Sequence, residues 1–219
     1  MDIDLILLAA GNSRRFGSNK LLYEVDGKPM YAHMLEKLLS IAEQENREGK
    51  QFRVVVVSQY GELLRDAKER GTGYQAPLLL ADSPKSRLGM SYTIRRALEV
   101  SRNLHETGEL DGMEKHKRIG NRAAAFFLAD MPWLSRQSIL EFLKGFRRSG
   151  RTAGCMRAGE CFGNPAVFSW NCFDELNRLS GDEGGKRILK RHLEDCYFYE
   201  VGEGELADID VPKNGKGSN

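Results

Sequence analysis

Apolar β-type runs recur along this sequence at 3–10, 53–58 (RVVVVS), 77–81 (PLLLA), 124–129 (AAFFLA) and 196–201 (CYFYEV), and helix-period segments fill the intervals at about 29–43, 60–70, 89–101, 135–147 and 183–193. Alternation of this kind specifies an α/β fold. A run such as VVVV has no polar face to offer water, so it is expected to be covered on both faces and the sheet to be mostly parallel. A three-layer sandwich follows. Two polar stretches, 43–51 and 102–121, are poor in core-forming residues and are expected as solvated loops. In 219 residues there is no repeat and no convincing linker, which predicts a single domain over 1–212 followed by a disordered tail at 213–219.

Composition narrows the function. Lys and Arg number 33 against 31 Asp and Glu, a formal net charge of +2, so the chain lacks the basic excess of a nucleic-acid binder and any polyanion site has to be local. No apolar run reaches 18 residues and the start, MDIDLILLAAG, carries acids where a secretory leader carries positive charge. The expectation is a soluble, cytoplasmic protein with no membrane partner. Cysteines 155, 161, 172 and 196 form no C-x-x-C pair and are expected as reduced, largely buried thiols. Histidines 33, 105, 116 and 192 have no metal-ligand spacing, which disfavours structural zinc.

The first apolar run breaks at Ala10 into Gly11-Asn12-Ser13-Arg14-Arg15-Phe16-Gly17 and then reaches Lys20. In an open parallel sheet, ligands bind beyond the carboxyl ends of strands. Glycine lets backbone N–H groups approach an anion, and Arg15 and Lys20 supply positive charge for a polyphosphate. Solvated charges on a turn are the plain alternative. Neither G-x-x-x-x-G-K-[ST] nor G-x-G-x-x-G is present, which disfavours a P-loop NTPase or a dehydrogenase.

LAAGNSRRFGSNKLL resembles the L-A-x-G-x-S-x-R-[MF]-G-x-x-K signature of nucleotidyltransferases related to the molybdenum cofactor guanylyl- and cytidylyltransferases, the MobA-like NTP transferase family. The resemblance implies a Rossmann-like fold of the nucleotide-diphospho-sugar transferase type. It also implies a loop, Ala9 to Gly17, wrapped around the triphosphate of an NTP with Arg15 and Lys20 on its phosphates. Further stretches extend the resemblance over about residues 3–212. AFFLAD ends at Asp130 before Met131-Pro132 and looks like the family's metal-binding D-M-P motif, although an Asp there also suits a cap or turn. Asp82 opens a segment in which Gly89-Met90-Ser91 resembles the element bordering base and ribose; an ordinary helix start is the alternative.

Gly163-Asn164-Pro165 resembles the start of G-[HN]-P-x-[LV]-F, and the stretch from Gly181-Asp182 through Gly184-Gly185 to Arg187 resembles G-D-x-G-[AG]-[RK]-x-L. In the family both line the acceptor side of the cleft, which suits a substrate ending in a phosphate. Asp208-Ile209-Asp210-Val211-Pro212 resembles the family's D-I-D-T-P, with Val in place of Thr and without the helix that follows it, which leaves the closing wall of the acceptor pocket in doubt.

The implied reaction is attack by a terminal phosphate oxygen of a molybdopterin-type acceptor on the α-phosphorus of an NTP, releasing pyrophosphate. The nucleophile is already anionic, so positioning and charge neutralisation carry the catalysis. The resemblance assigns Mg²⁺, or Mn²⁺, to Asp130 with Asp208 or Asp210. Ala10, where guanylyl members usually have Gly, points to CTP. Alternatives are guanylyl or other nucleotidyl transfer to a different phosphorylated acceptor, and a non-catalytic accessory protein that hands a nucleotide or pterin to a recipient molybdoenzyme.

Overall fold

The computed structural model describes residues 1–11, 19–106 and 121–209. Most of the expected 102–121 loop and the whole 213–219 tail lie outside them.

The strands of the main sheet are β1 (Asp2–Leu8), β4 (Phe52–Ser58), β5 (Leu78–Asp82), β6 (Arg122–Leu128), β7 (Ala153–Ala158), β8 (Cys161–Ser169) and β9 (Cys196–Glu200); β2 (Glu24–Val25) and β3 (Lys28–Pro29) form a separate hairpin. The seven-stranded sheet has the order β5-β4-β1-β6-β8-β7-β9. Within it β8 runs against its neighbours β6 and β7, and the other pairings are parallel.

Burial on both faces is visible residue by residue. Ile3, Leu5, Leu7 and Ala9 of the first strand and its extension join one apolar cluster, while Ile6 and Leu8 join the other. Helices α1 (Met30–Arg47), α2 (Gly61–Gly71) and α4 (Arg136–Ser149) cover the first face. Helices α3 (Met90–Glu106), α5 (Phe173–Asn177) and α6 (Lys186–Arg191) cover the second. The mostly parallel three-layer sandwich expected from the apolar runs is therefore present. Asp4 is the polar exception on β1: it is buried, and Arg53 of β4 and Arg122 of β6 donate to it from the two flanking strands at 2.7–3.1 Å. Its charge is thereby paired rather than stranded in the core.

Three features depart from expectation. The 43–51 stretch is not a loop throughout, because α1 continues to Arg47 and buries Glu45, which pairs with Lys50 and Arg147. Strands β7 and β8 were absent from the reading of the apolar runs. Their ladder shifts register between Cys155 and Arg157, opposite the Gly163-Asn164-Pro165 stretch, where the Asn164–Pro165 peptide is cis. Of the four free cysteines, Cys155 and Cys172 are buried, Cys196 is half-buried and Cys161 is exposed. Among the described residues no helix is long and apolar enough to cross a membrane.

Candidate active site

Strand order sets the site. The chain runs outward from β1 to β4 and β5 and then returns to β6 on the other side of β1, so the sheet reverses direction between β1 and β6. Such a switch point opens a crevice at the carboxyl ends of the strands. A cleft of about 510 Å³ lies there, walled by Leu8, Ala10 and Gly11 beyond β1, by Leu128 to Asp130 beyond β6, and by Gly89 and Met90 at the start of α3.

Lys20 and Asp130, 110 positions apart in sequence, meet across this cleft: Lys20 Nζ donates to Asp130 Oδ2 at 2.7 Å. Lys20 stands on a short 3₁₀ turn, Lys20–Leu22, whose N-cap Asn19 accepts from the Leu21 N–H. A second, longer bond runs from Lys20 Nζ to the carbonyl of Ile209 at 3.4 Å, and the Ile209 N–H donates to the Asp130 carbonyl at 3.2 Å. The C-terminal segment is thus tied to the loop that carries Asp130. From α1, Lys37 clamps the same loop by donating to the carbonyls of Pro132 and Leu134 at 2.6 and 2.8 Å. Burial holds the pKa of Lys37 below the ordinary lysine value.

The opposite wall is built from two motifs in contact. Gly89 has φ 138°, and a Cβ there would overlap the Gly181 carbonyl and lie 2.9 Å from the Asp182 nitrogen, so glycine is required on both counts. The Ser91 N–H donates to the Gly181 carbonyl at 3.1 Å. Gly184 stands against Met90, Gly185 against the Phe168 ring and Gly163 against Lys186. Segments far apart in sequence, 89–91, 181–186 and 163–168, therefore form one continuous surface. Arg187 pairs with Glu183 on its outer side.

The expected residues divide by position. Ala10, Gly11, Lys20, Gly89, Met90, Asp130 and Asp182 line the cleft. Ala9 lies beneath it, fully buried. Asn12, Ser13, Arg14, Arg15, Gly17 and Asp210 lie outside the described residues. Asp82 lines a different groove with Tyr92 and Arg95, because β5 is the edge strand and its carboxyl end is remote from the switch point. Ser91 is fully buried, its hydroxyl without a hydrogen-bond partner among the described residues, so its backbone rather than its side chain serves the wall. Gly163, Asn164 and Pro165 belong to β8 and are not part of the cleft lining; Gly163 stands against Lys186.

Asp208 is exposed and is not part of the cleft lining. Among the described residues no group of three or more His, Cys, Asp and Glu side chains converges to hold a metal. The Asp130 carboxylate on the cleft wall nevertheless fits Mg²⁺ or Mn²⁺, which use one or two protein carboxylates together with substrate phosphates.

The sequence reading missed Ser86, Arg87, Leu88 and Thr93, which also line the cleft. Ser86 donates to Ser83 and Thr93 donates to Ser86, both at 2.8 Å, a hydroxyl chain that holds the turn before Gly89. Its signal was the S-P-K-S run just ahead of a helix, which favours such local bonds.

The model of the MobA-like NTP transferase domain matches residues 5–196. The chain is 28% identical over 214 residues to the purine catabolism protein PucB of Bacillus subtilis (strain 168), covering 95% of this chain and 91% of that protein. A local match, 47% identical over 38 residues, covers 17% of this chain and 20% of a probable molybdenum cofactor guanylyltransferase of Pyrococcus horikoshii. Among solved structures, Rv0371c from Mycobacterium tuberculosis H37Rv shares the fold with a TM-score of 0.64 at 18% identity, over 96% of this chain and 93% of that one. That protein has also been crystallised in complex with manganese. Matched by the family model over most of its length, the chain belongs to the MobA-like NTP transferase family.

Proposed function

We propose that this nucleotidyltransferase moves a nucleotidyl group, CMP in preference, from an NTP to the terminal phosphate of a molybdopterin-type acceptor and releases pyrophosphate. The observation that carries the proposal is the meeting of Lys20 with Asp130 in the switch-point cleft beside Ala10 and Gly11. One wall of the cleft, from Gly89 and Met90, takes the base, and the Asp182 side takes the acceptor phosphate. Arg15 and Lys20 bind the triphosphate, and Asp130, aided by Asp208 or Asp210, holds the divalent cation. That cation, when bound, would offset the charge of the phosphates. A recipient molybdoenzyme would take the product.

In the structure Lys20 pairs with Asp130. Nucleotide binding is expected to draw the ammonium towards the phosphates, leaving the carboxylate for the cation. Lys20→Ala is expected to lower kcat more than it weakens NTP binding, because charge grows on the leaving pyrophosphate as the bond breaks. Steady-state kinetics beside equilibrium NTP binding check this; an unchanged kcat with only a raised KM would reduce Lys20 to a ground-state contact.

The CTP preference rests on Ala10, whose methyl lies on the cleft wall and narrows the room for a purine. A contact of that size discriminates by roughly 1–3 kcal/mol, or about ten- to two-hundredfold in kcat/KM. The local likeness to a probable guanylyltransferase favours GTP as the second reading. Measuring kcat/KM for CTP and GTP in the wild type and in Ala10→Gly separates them. The expected result is a CTP preference that narrows in the variant; a wild-type preference for GTP would remove the cytidylyl assignment and leave nucleotidyl transfer in place.

A further inference from the structure

Three consecutive carbonyls at the end of β1 are taken by three consecutive side chains that follow the valine run of β4. Ser58 Oγ donates to the Ala9 carbonyl at 2.7 Å, Gln59 Nε2 to the Ala10 carbonyl at 2.7 Å, and the Tyr60 hydroxyl to the Gly11 carbonyl at 3.0 Å. Ser58 Oγ also accepts from the Tyr60 N–H at 3.1 Å, which fixes the spacing of the set. In a regular strand, successive carbonyls point to opposite sides. Here all three turn to the β4 side, so the extended alternation ends at Ala9.

The consequence lies in the peptide plane. In a trans peptide, the C=O of one residue and the N–H of the next point in opposite directions. Holding the carbonyls of Ala9 and Ala10 towards β4 therefore turns the N–H groups of Ala10 and Gly11 together towards the other side, where Asp130 and Lys20 stand. Among the described residues neither N–H is given to an acceptor. Consecutive N–H groups facing one way make an anion-binding concavity.

We propose that Ser58 and Gln59 are positioning residues, which touch no substrate and preset the Ala10 and Gly11 N–H groups, respectively, as donors to a nucleotide phosphate. This rests on the nucleotidyl-transfer reading above. Donors fixed before the reaction need no reorganisation as charge shifts on the phosphate, so their loss falls on turnover more than on ground-state binding. Ser58 is buried and Gln59 half-buried. Gln59→Met keeps the length of the side chain without its donor, and Ser58→Ala removes the hydroxyl that holds the Ala9 carbonyl.

The test uses ¹⁵N-labelled full-length protein titrated with each of the four NTPs and Mg²⁺, together with nucleotide affinity by calorimetry and turnover with molybdopterin. In the wild type, the Ala10 and Gly11 amide protons are expected to move downfield when nucleotide binds. In Gln59→Met that movement should shrink, and kcat should fall roughly ten- to a hundredfold, the usual cost of a small misplacement, with nucleotide Kd changed far less. Ser58→Ala should act in the same direction through the Ala10 N–H, and it decides the matter if Gln59→Met does not fold. Variants with wild-type amide shifts and turnover would overturn the positioning role while leaving nucleotidyl transfer intact. A wild type that binds no NTP would overturn both.

Discussion

Asp130→Asn is expected to lower turnover by about a thousandfold or more, because it removes the charge proposed to hold the cation, and a divalent cation on the reacting phosphates would supply several kcal/mol of transition-state stabilisation. The fold should survive. The bond by which Asp130 ties the C-terminal segment comes from its backbone carbonyl, which accepts from the Ile209 N–H, and Asn keeps that carbonyl and the side-chain shape. The side chain also loses its ion pair with Lys20, a partly exposed contact of small worth. Pyrophosphate release assayed beside the thermal unfolding midpoint separates the effects; a folded variant with normal turnover would remove Asp130 from the chemistry.

Gly89→Ala should be the most damaging change on this wall of the cleft. The residue has φ 138°, a conformation that L-residues rarely adopt, and the new methyl would be driven into the Gly181 carbonyl. Backbone strain and overlap together are expected to cost about 2–5 kcal/mol. The clash also parts the 89–91 segment from the Gly181-Asp182 loop, so the two stretches lose their common wall. Denaturant unfolding should show a lowered midpoint, and activity should remain depressed even under conditions where the variant is folded. Gly181→Ala, which meets no neighbouring atom but must adopt φ 53°, should cost less in stability. Equal stability of wild type and Gly89→Ala would show that the two loops are not locked together.

The strands that build the site were readable because their chemistry is extreme. VVVV and AAFFL leave no polar face, and burial on both faces is what the fold gives them. The cleft positions of Gly11 and Asp130 were readable for a related reason: each interrupts an apolar run at its carboxyl end. Strand order was not readable, and Asp82 shows the cost. It ends β5 much as Asp130 follows β6, yet β5 is the edge of the sheet, so the same local pattern places one aspartate in the cleft and the other in a separate groove.

Other features depended on contacts distant in sequence. β8 reads poorly as a strand because Gly163 and Pro165 interrupt it, and only the register shift against β7 accommodates them. Glu45 looked like part of a solvated stretch, since nothing local announces that Lys50 and Arg147 will neutralise it in the core. The β2–β3 hairpin could have been found: Asp26-Gly27 is a two-residue turn signal, and both residues have the positive φ, 47° and 78°, that such turns require. Lys37, Gln59 and Tyr60 carried no such signal, because each acts on a loop that only the folded sheet brings within reach.

Transfer itself is tested most directly by incubating the protein with molybdopterin, Mg²⁺ and CTP labelled in parallel at the α- or the γ-phosphate. The expected result is α-label in a pterin dinucleotide and γ-label in pyrophosphate, in equal amounts and dependent on acceptor. Retention of both labels in intact CTP, with the same outcome for GTP, ATP and UTP, would contradict nucleotidyl transfer to a molybdopterin-type acceptor.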